Sequence, residues 1–235
     1  MLNESTRQRL IDNWLRTQQD VRQALRNAGR APESIRIIGV SKYVTSDVAQ
    51  ALLEAGCIDL GESRPQQLIE KASHIDRQSV TWHLIGHLQR NKAKRMVELA
   101  DWIHSVDSLK LLESIAGYAS QVGRAPKLLI EVNVSGDQDK HGFRVDELLQ
   151  AWPAIMSVKG VKIDGLMAMA GIEANDTQTR EQFAAVRELR DELCHRFGSS
   201  LPELSMGMSG DFEAAIQEGA TMIRVGSRLF EGVVS

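Results

Sequence analysis

The chain alternates between two kinds of segment, and this alternation constrains the fold more than any other feature. Short apolar runs lie near residues 36–42, 57–60, 81–85, 102–105, 127–134, 161–167, 203–206 and 221–225. Helix-like stretches separate them, near 46–55, 64–74, 91–100, 107–121, 144–156, 176–197 and 211–218. Apolar runs of this length read as strands covered on both faces, the usual condition of a parallel sheet. Parallel neighbours need crossovers of one hand. Eight strands connected in this way close into a (β/α)8 barrel, which leaves no edge strand exposed. A doubly wound open sheet is the alternative, but it usually carries fewer strands, and no GxGxxG follows the first strand here. An extra polar helix over 4–29 precedes the barrel. Its apolar positions are Leu10, Ile11, Trp14, Leu15, Val21 and Leu25, and Gly29 stops it.

Local signals agree with these boundaries. Thr45 or Ser46 can cap the helix after the first strand, and Gly56 stands just past its end. Ser63-Arg64-Pro65-Gln66 fits a capping box with proline in the first turn, and Asp107, Ser209 and Asp211 sit at helix starts. No linker, repeat or low-complexity stretch interrupts the pattern. Residues 1–235 are therefore expected to form one domain, a length that suits a single barrel.

Composition removes several functional classes. A net charge of −3 shows no basic footprint for nucleic acid or an anionic membrane. No apolar run approaches the roughly 18 residues that span a bilayer, and the charged first thirty positions lack the apolar centre of a secretion signal. A cytoplasmic protein is expected. Cys57 and Cys194 show no metal or CxxC spacing, and Cys57 reads as a buried, inert thiol. The histidines show no HExxH or paired spacing, so no metal is expected.

In such a barrel the chemistry belongs at the carboxyl ends of the strands. Standing there are Lys42, Gly61-Glu62-Ser63, His83 with Gly86-His87, Asn133, Ser205 to Ser209, and Arg224-Val225-Gly226-Ser227. A partly desolvated lysine has a lowered pKa and an amine free to attack a carbonyl. The ordinary alternative is a solvated strand end. Ser63 can equally be a helix cap, His83 a hydrogen-bonded core histidine, and Asn133 a partner for loop backbone. The Gly-Ser turns after the seventh and eighth strands, with Met208, Ser209, Gly226 and Ser227, fit the place where barrels commonly hold phosphate. Arg224 faces opposite to Ile223 and Val225, so its guanidinium needs an acceptor, either a carboxylate or a ligand. A lysine, two phosphate loops and an inward arginine together suit a ligand with an aldehyde, a phosphate and a ring acceptor. Pyridoxal 5′-phosphate (PLP) has all three, with Lys42 as its Schiff-base partner.

The chain resembles the PLP homeostasis protein family, single-domain relatives of the alanine racemase N-terminal barrel. The resemblance rests on Val40-Ser41-Lys42, Gly61-Glu62, Trp82 through Lys92, Lys140-His141-Gly142-Phe143, Gly165-Leu166-Met167, Leu204 through Ser209, and Arg224 through Ser227 with Phe230. It implies Lys42 as the cofactor lysine, Met208, Ser209, Gly226 and Ser227 as the phosphate cup, Arg224 facing the pyridine nitrogen, and His83 lining the pocket, with Ser205 in the same segment. The family usually has asparagine after Gly-Glu. Ser63 stands there instead, and its shorter side chain would reach a ligand through water. The implied role is a protein that holds, buffers or delivers PLP, with PLP-dependent apo-enzymes as candidate recipients; a monomer is expected.

Two rival functions are an amino-acid racemase and a cofactor-free Schiff-base aldolase. Arginine stays protonated and donates to the ring nitrogen, which leaves the ring a weaker electron sink. A racemase also needs a second base opposite Lys42. The tyrosines, Tyr43 and Tyr118, offer no clear one.

Overall fold

The computed structural model describes residues 2–137 and 140–233. Eight parallel strands close into a barrel in sequence order. They are β1 (Arg36–Val40), β2 (Asp59–Glu62), β3 (Thr81–Leu84), β4 (Trp102–Val106), β5 (Lys127–Val132), β6 (Lys162–Ala168), β7 (Glu203–Met208) and β8 (Met222–Val225). Helices α2 (Ser46–Glu54), α3 (Pro65–Ala72), α4 (Arg90–Leu99), α5 (Leu109–Val122), α6 (Val145–Ser157), α7 (Asp176–Phe197) and α8 (Phe212–Gln217) fill the crossovers, and α1 (Glu4–Asn27) leads.

The predicted elements all form, with one shift and several changes of cap. β2 begins two residues later than the apolar pattern implies and runs on through Gly61-Glu62. Ile58, the most apolar residue of the predicted run, is 57% exposed. Ser63 does not cap α3. The cap is Arg64, without a side-chain bond, and Pro65 opens the helix. Ser108, not Asp107, caps α5 by accepting from Leu111 N–H. On α1 the buried stripe is Leu10, Trp14, Val21 and Leu25 with Asn13 and Thr17, while Ile11 and Leu15 stay exposed on the flank.

Two cores result. The larger lies between strands and helices. Ile38, Trp102, Leu129, Met167 and Met222 plug the barrel interior. Side chains alternate along a strand, so the next inward positions toward the carboxyl ends include Val40, His104, Glu131 and Arg224. The apolar plug thus supports a polar layer beneath the mouth. α1 packs against α2 and α8 on the flank of the barrel and also reaches the turn that follows β8. Asn13 Nδ2 donates to the carbonyls of Leu229 (3.1 Å) and Glu231 (3.0 Å), and Asp20 pairs with Arg228. Among the described residues, no helix is long and apolar enough to cross a membrane.

Candidate functional site

A cavity of about 690 Å3 opens at the carboxyl ends of the strands, within the range of small-ligand sites. Lys42, Ser63, Met208, Ser209, Arg224, Gly226 and Ser227 all line it, with Tyr43, Met169 and Phe230 as apolar wall. A cleft of similar size lies at the amino ends of β1 and β2, where barrels keep stability rather than chemistry.

Each wall residue is placed by its element. Lys42 stands two residues past β1, half-buried, with Nζ 4.7 Å from the centre of the Tyr43 ring. The preceding residue is held from behind. Ser41 Oγ donates to Glu62 Oε1 (2.6 Å), and the buried Lys71 ion-pairs with Glu62 while donating to the Ser41 carbonyl (2.7 Å). Gly86 is dictated by close approach, because a Cβ there would stand 2.2 Å from the Ser63 carbonyl oxygen. Gly207 has φ +93°, and a Cβ on it would meet Ala215 Cβ at 2.6 Å, so glycine lets α8 pack onto the end of β7. Ser209 Oγ accepts from Gly226 N–H (3.1 Å), which ties the two glycine-serine loops together.

Arg224 is 4% exposed and has no carboxylate partner among the described residues. Its Nη1 donates to the Ser205 carbonyl (2.7 Å) and Oγ (2.6 Å), and its Nη2 to the Ala168 carbonyl (2.9 Å). These bonds leave further guanidinium donors available on a residue that lines the cavity. Burial lowers its pKa to about 10, opposed by the charges of Asp211 and Glu131, so it remains a cation at neutral pH.

His83 and Ser205 stand one layer below the cavity wall, fully buried. They belong to a hydrogen-bonded chain through the barrel. Arg36 donates to Asp59 (2.8 Å), and His83 Nε2 meets the same Asp59 oxygen (3.0 Å). His83 Nδ1 meets His104 Nε2 (2.9 Å), and His104 Nδ1 meets Ser205 Oγ (2.9 Å). An ionised Asp59 only accepts, so His83 carries its proton on Nε2, His104 on Nε2, and Ser205 gives its hydroxyl proton to His104. Burial pushes both imidazoles below their usual range, more strongly for His104, where cationic neighbours add to it. Burial alone would raise Asp59, but hydrogen bonds from His83 and Arg36 hold it below the usual carboxylate range. The chain ends at Ser205 Oγ, which accepts from Arg224.

Asn133 serves its own loop, donating to the Asp137 carbonyl (2.7 Å) and accepting from Gly136 N–H (3.1 Å). Sequence reasoning missed Asp59, Lys71, His104 and Glu131. His104 and Asp59 were visible only as polar residues at inward positions of apolar strands. Lys71 lies in a polar helix and gave no signal. Cys57 is buried as expected, which pushes its thiol up to about 12.

The sequence matches the profile described as alanine racemase, N-terminal domain, over residues 17–232. A pyridoxal phosphate homeostasis protein of Aquifex aeolicus is 37% identical over 89% of this chain and 92% of its own length. One from Synechocystis is 36% identical over 85% and 92%. The solved structure of PipY from Synechococcus elongatus with PLP bound is 38% identical, with a TM-score of 0.81 over 89% of this chain and 99% of that one. An alanine racemase of Clostridium difficile, at 17% identity and TM-score 0.71, shares the fold over 91% of this chain and 56% of its own. By matched length and by motif, the chain belongs to the pyridoxal phosphate homeostasis protein family, built on the alanine racemase N-terminal barrel.

Proposed function

We propose that this protein binds PLP in the mouth cavity, covalently at Lys42, and serves intracellular PLP and amino-acid homeostasis as a carrier. One observation supports this most: Lys42, Arg224 with donors to spare, and the two serine loops converge on a single cavity of suitable size. The relatives' names and the PLP-bound PipY support the same ligand. The residues present fit its groups. Bound there, the cofactor supplies an aldehyde and an electron-withdrawing ring. Lys42 offers the amine for the aldehyde. Ser209, Ser227 and the backbone of the Gly226 turn offer donors for the phosphate. Ser63 offers only a short hydroxyl.

Arg224 decides between carrying and catalysis. It stays protonated, tethered by Ser205 and Ala168, and would offer a bound ring's nitrogen a hydrogen bond rather than a proton. A ring held this way withdraws electrons weakly, which favours storage over carbanion chemistry. In this reading residues 1–235 act as one domain, a cytoplasmic monomer that hands PLP to apo-enzymes.

The test is the absorption spectrum of the purified protein. PLP should give a visible band that borohydride abolishes, and peptide mapping after reduction should find the added mass on Lys42. Lys42→Ala should remain folded and lose the band. Added mass on Lys92 or Lys140, or a colourless protein that takes up no PLP, would overturn the assignment.

A further inference from the structure

Three side chains from successive loops meet on the far wall of the mouth. His87 follows β3, Asp107 follows β4, and His141 lies in the loop after β5. His87 Nδ1 is 3.0 Å from Asp107 Oδ2, and His141 Nδ1 is 4.0 Å from the same oxygen. The two imidazoles stack with centroids 3.9 Å apart. Ligand atoms of all three lie within 4.8 Å of one another, and no other trio of His, Cys, Asp or Glu does so among the described residues. Sequence spacing hid the cluster, because only the parallel pairing of β3, β4 and β5 sets their loops side by side.

A surface hydrogen bond with a neighbouring ring is the plainer account. Two features go beyond it. Both rings turn the same nitrogen toward one carboxylate oxygen. Nearby, Glu131 is 6% exposed and has an Oε2 with no partner. Asp107 is close enough for its charge to act on Glu131, so two carboxylates share this corner of the mouth.

We infer that His87, Asp107 and His141 form a binding site for a divalent transition-metal ion of the zinc class. Two imidazoles with one carboxylate suit such ions better than magnesium or calcium. Ligand atoms around tetrahedral zinc lie about 3.3 Å apart, given bonds of about 2.0–2.1 Å. Reaching that spacing with both ring lone pairs aimed at one ion requires His141, whose side chain is 56% exposed, to turn out of its near-parallel stack on His87 and move inward. Three protein ligands leave a coordination position for water. Ile85 and Gly86, just before His87, already line the cofactor cavity, so the ion would lie at its border.

The untagged full-length protein should be titrated with Zn2+ and with Co2+ as a spectroscopic substitute. One equivalent should bind, and His87→Ala or Asp107→Asn should weaken it at least tenfold. His74→Ala and His195→Ala, at exposed histidines outside the cluster, should leave it unchanged. On the wild-type protein, Zn2+ should shield His87 and His141, but not His74 and His195, from diethylpyrocarbonate. No zinc uptake, uptake that survives His87→Ala and Asp107→Asn, or no selective shielding would overturn the site. PLP loading is read separately at Lys42, so either result stands without the other.

Discussion

Ser209 and Ser227 sit on different loops, yet the Ser209–Gly226 bond makes those loops one surface. If the phosphate lies there, each serine contributes a charge-assisted hydrogen bond worth about 1.5–3 kcal/mol. The Ser209→Ala/Ser227→Ala double variant should therefore bind PLP at least about tenfold more weakly, with backbone donors sustaining the remainder. Absorbance titration measures this, and an unchanged affinity would place the phosphate elsewhere. These serines, Lys42 and Arg224 were legible in the sequence because each interrupts or ends an apolar run at a strand's carboxyl end. His104 was not, because its meaning depends on which way β4 faces and on a partner, Ser205, three strands away. Asp59 falls at a strand start that the apolar pattern placed too early.

The same blindness to partners operates between elements. Glu62 lies at the end of β2, at a position the hydrophobic pattern excluded from the strand, because a carboxylate does not read as core. It is core here only because Lys71 reaches it from α3. Removing one member of a buried pair leaves an uncompensated charge and typically costs about 3–5 kcal/mol. Lys71→Met should lower stability by that order, measured by urea unfolding. It should also free the Ser41 carbonyl and so loosen the support beneath Lys42. A loss below about 1 kcal/mol would mean that the pair adds little net stability. The strand-helix alternation was legible throughout because barrel strands are covered on both faces and keep their apolar signature whatever the loops do.

The whole barrel should respond to pH through its interior. Glu131 is raised from 4.5 to about 7, by burial first and by Asp107 second. Its contribution to stability is fully present below about pH 4.5 and is lost as pH rises through about 7. Glu131→Gln should therefore stabilise the protein near pH 8, by as much as about 3 kcal/mol. His83 and His104 act in the opposite direction. Their lowered values give stability that is present above about 6.5 and lost as pH falls. Thermal melts of Glu131→Gln between pH 8 and pH 5 should expose this acid limb alone, and a flat profile would show that the two imidazoles do not titrate on unfolding.

The N-terminal helix gives the barrel a further property. Asn13 fastens the Leu229 and Glu231 carbonyls, and Asp20 holds Arg228, so α1 braces the turn that follows Gly226 and Ser227. Asn13 is not itself part of the cavity wall, but it holds Glu231, which is, so loosening it lets that turn breathe. The residence time of a bound ligand is then set partly from outside its pocket. Asn13→Ala should speed cofactor release while leaving the association rate nearly unchanged, so a helix that contributes nothing to recognition would govern how long the cargo stays aboard.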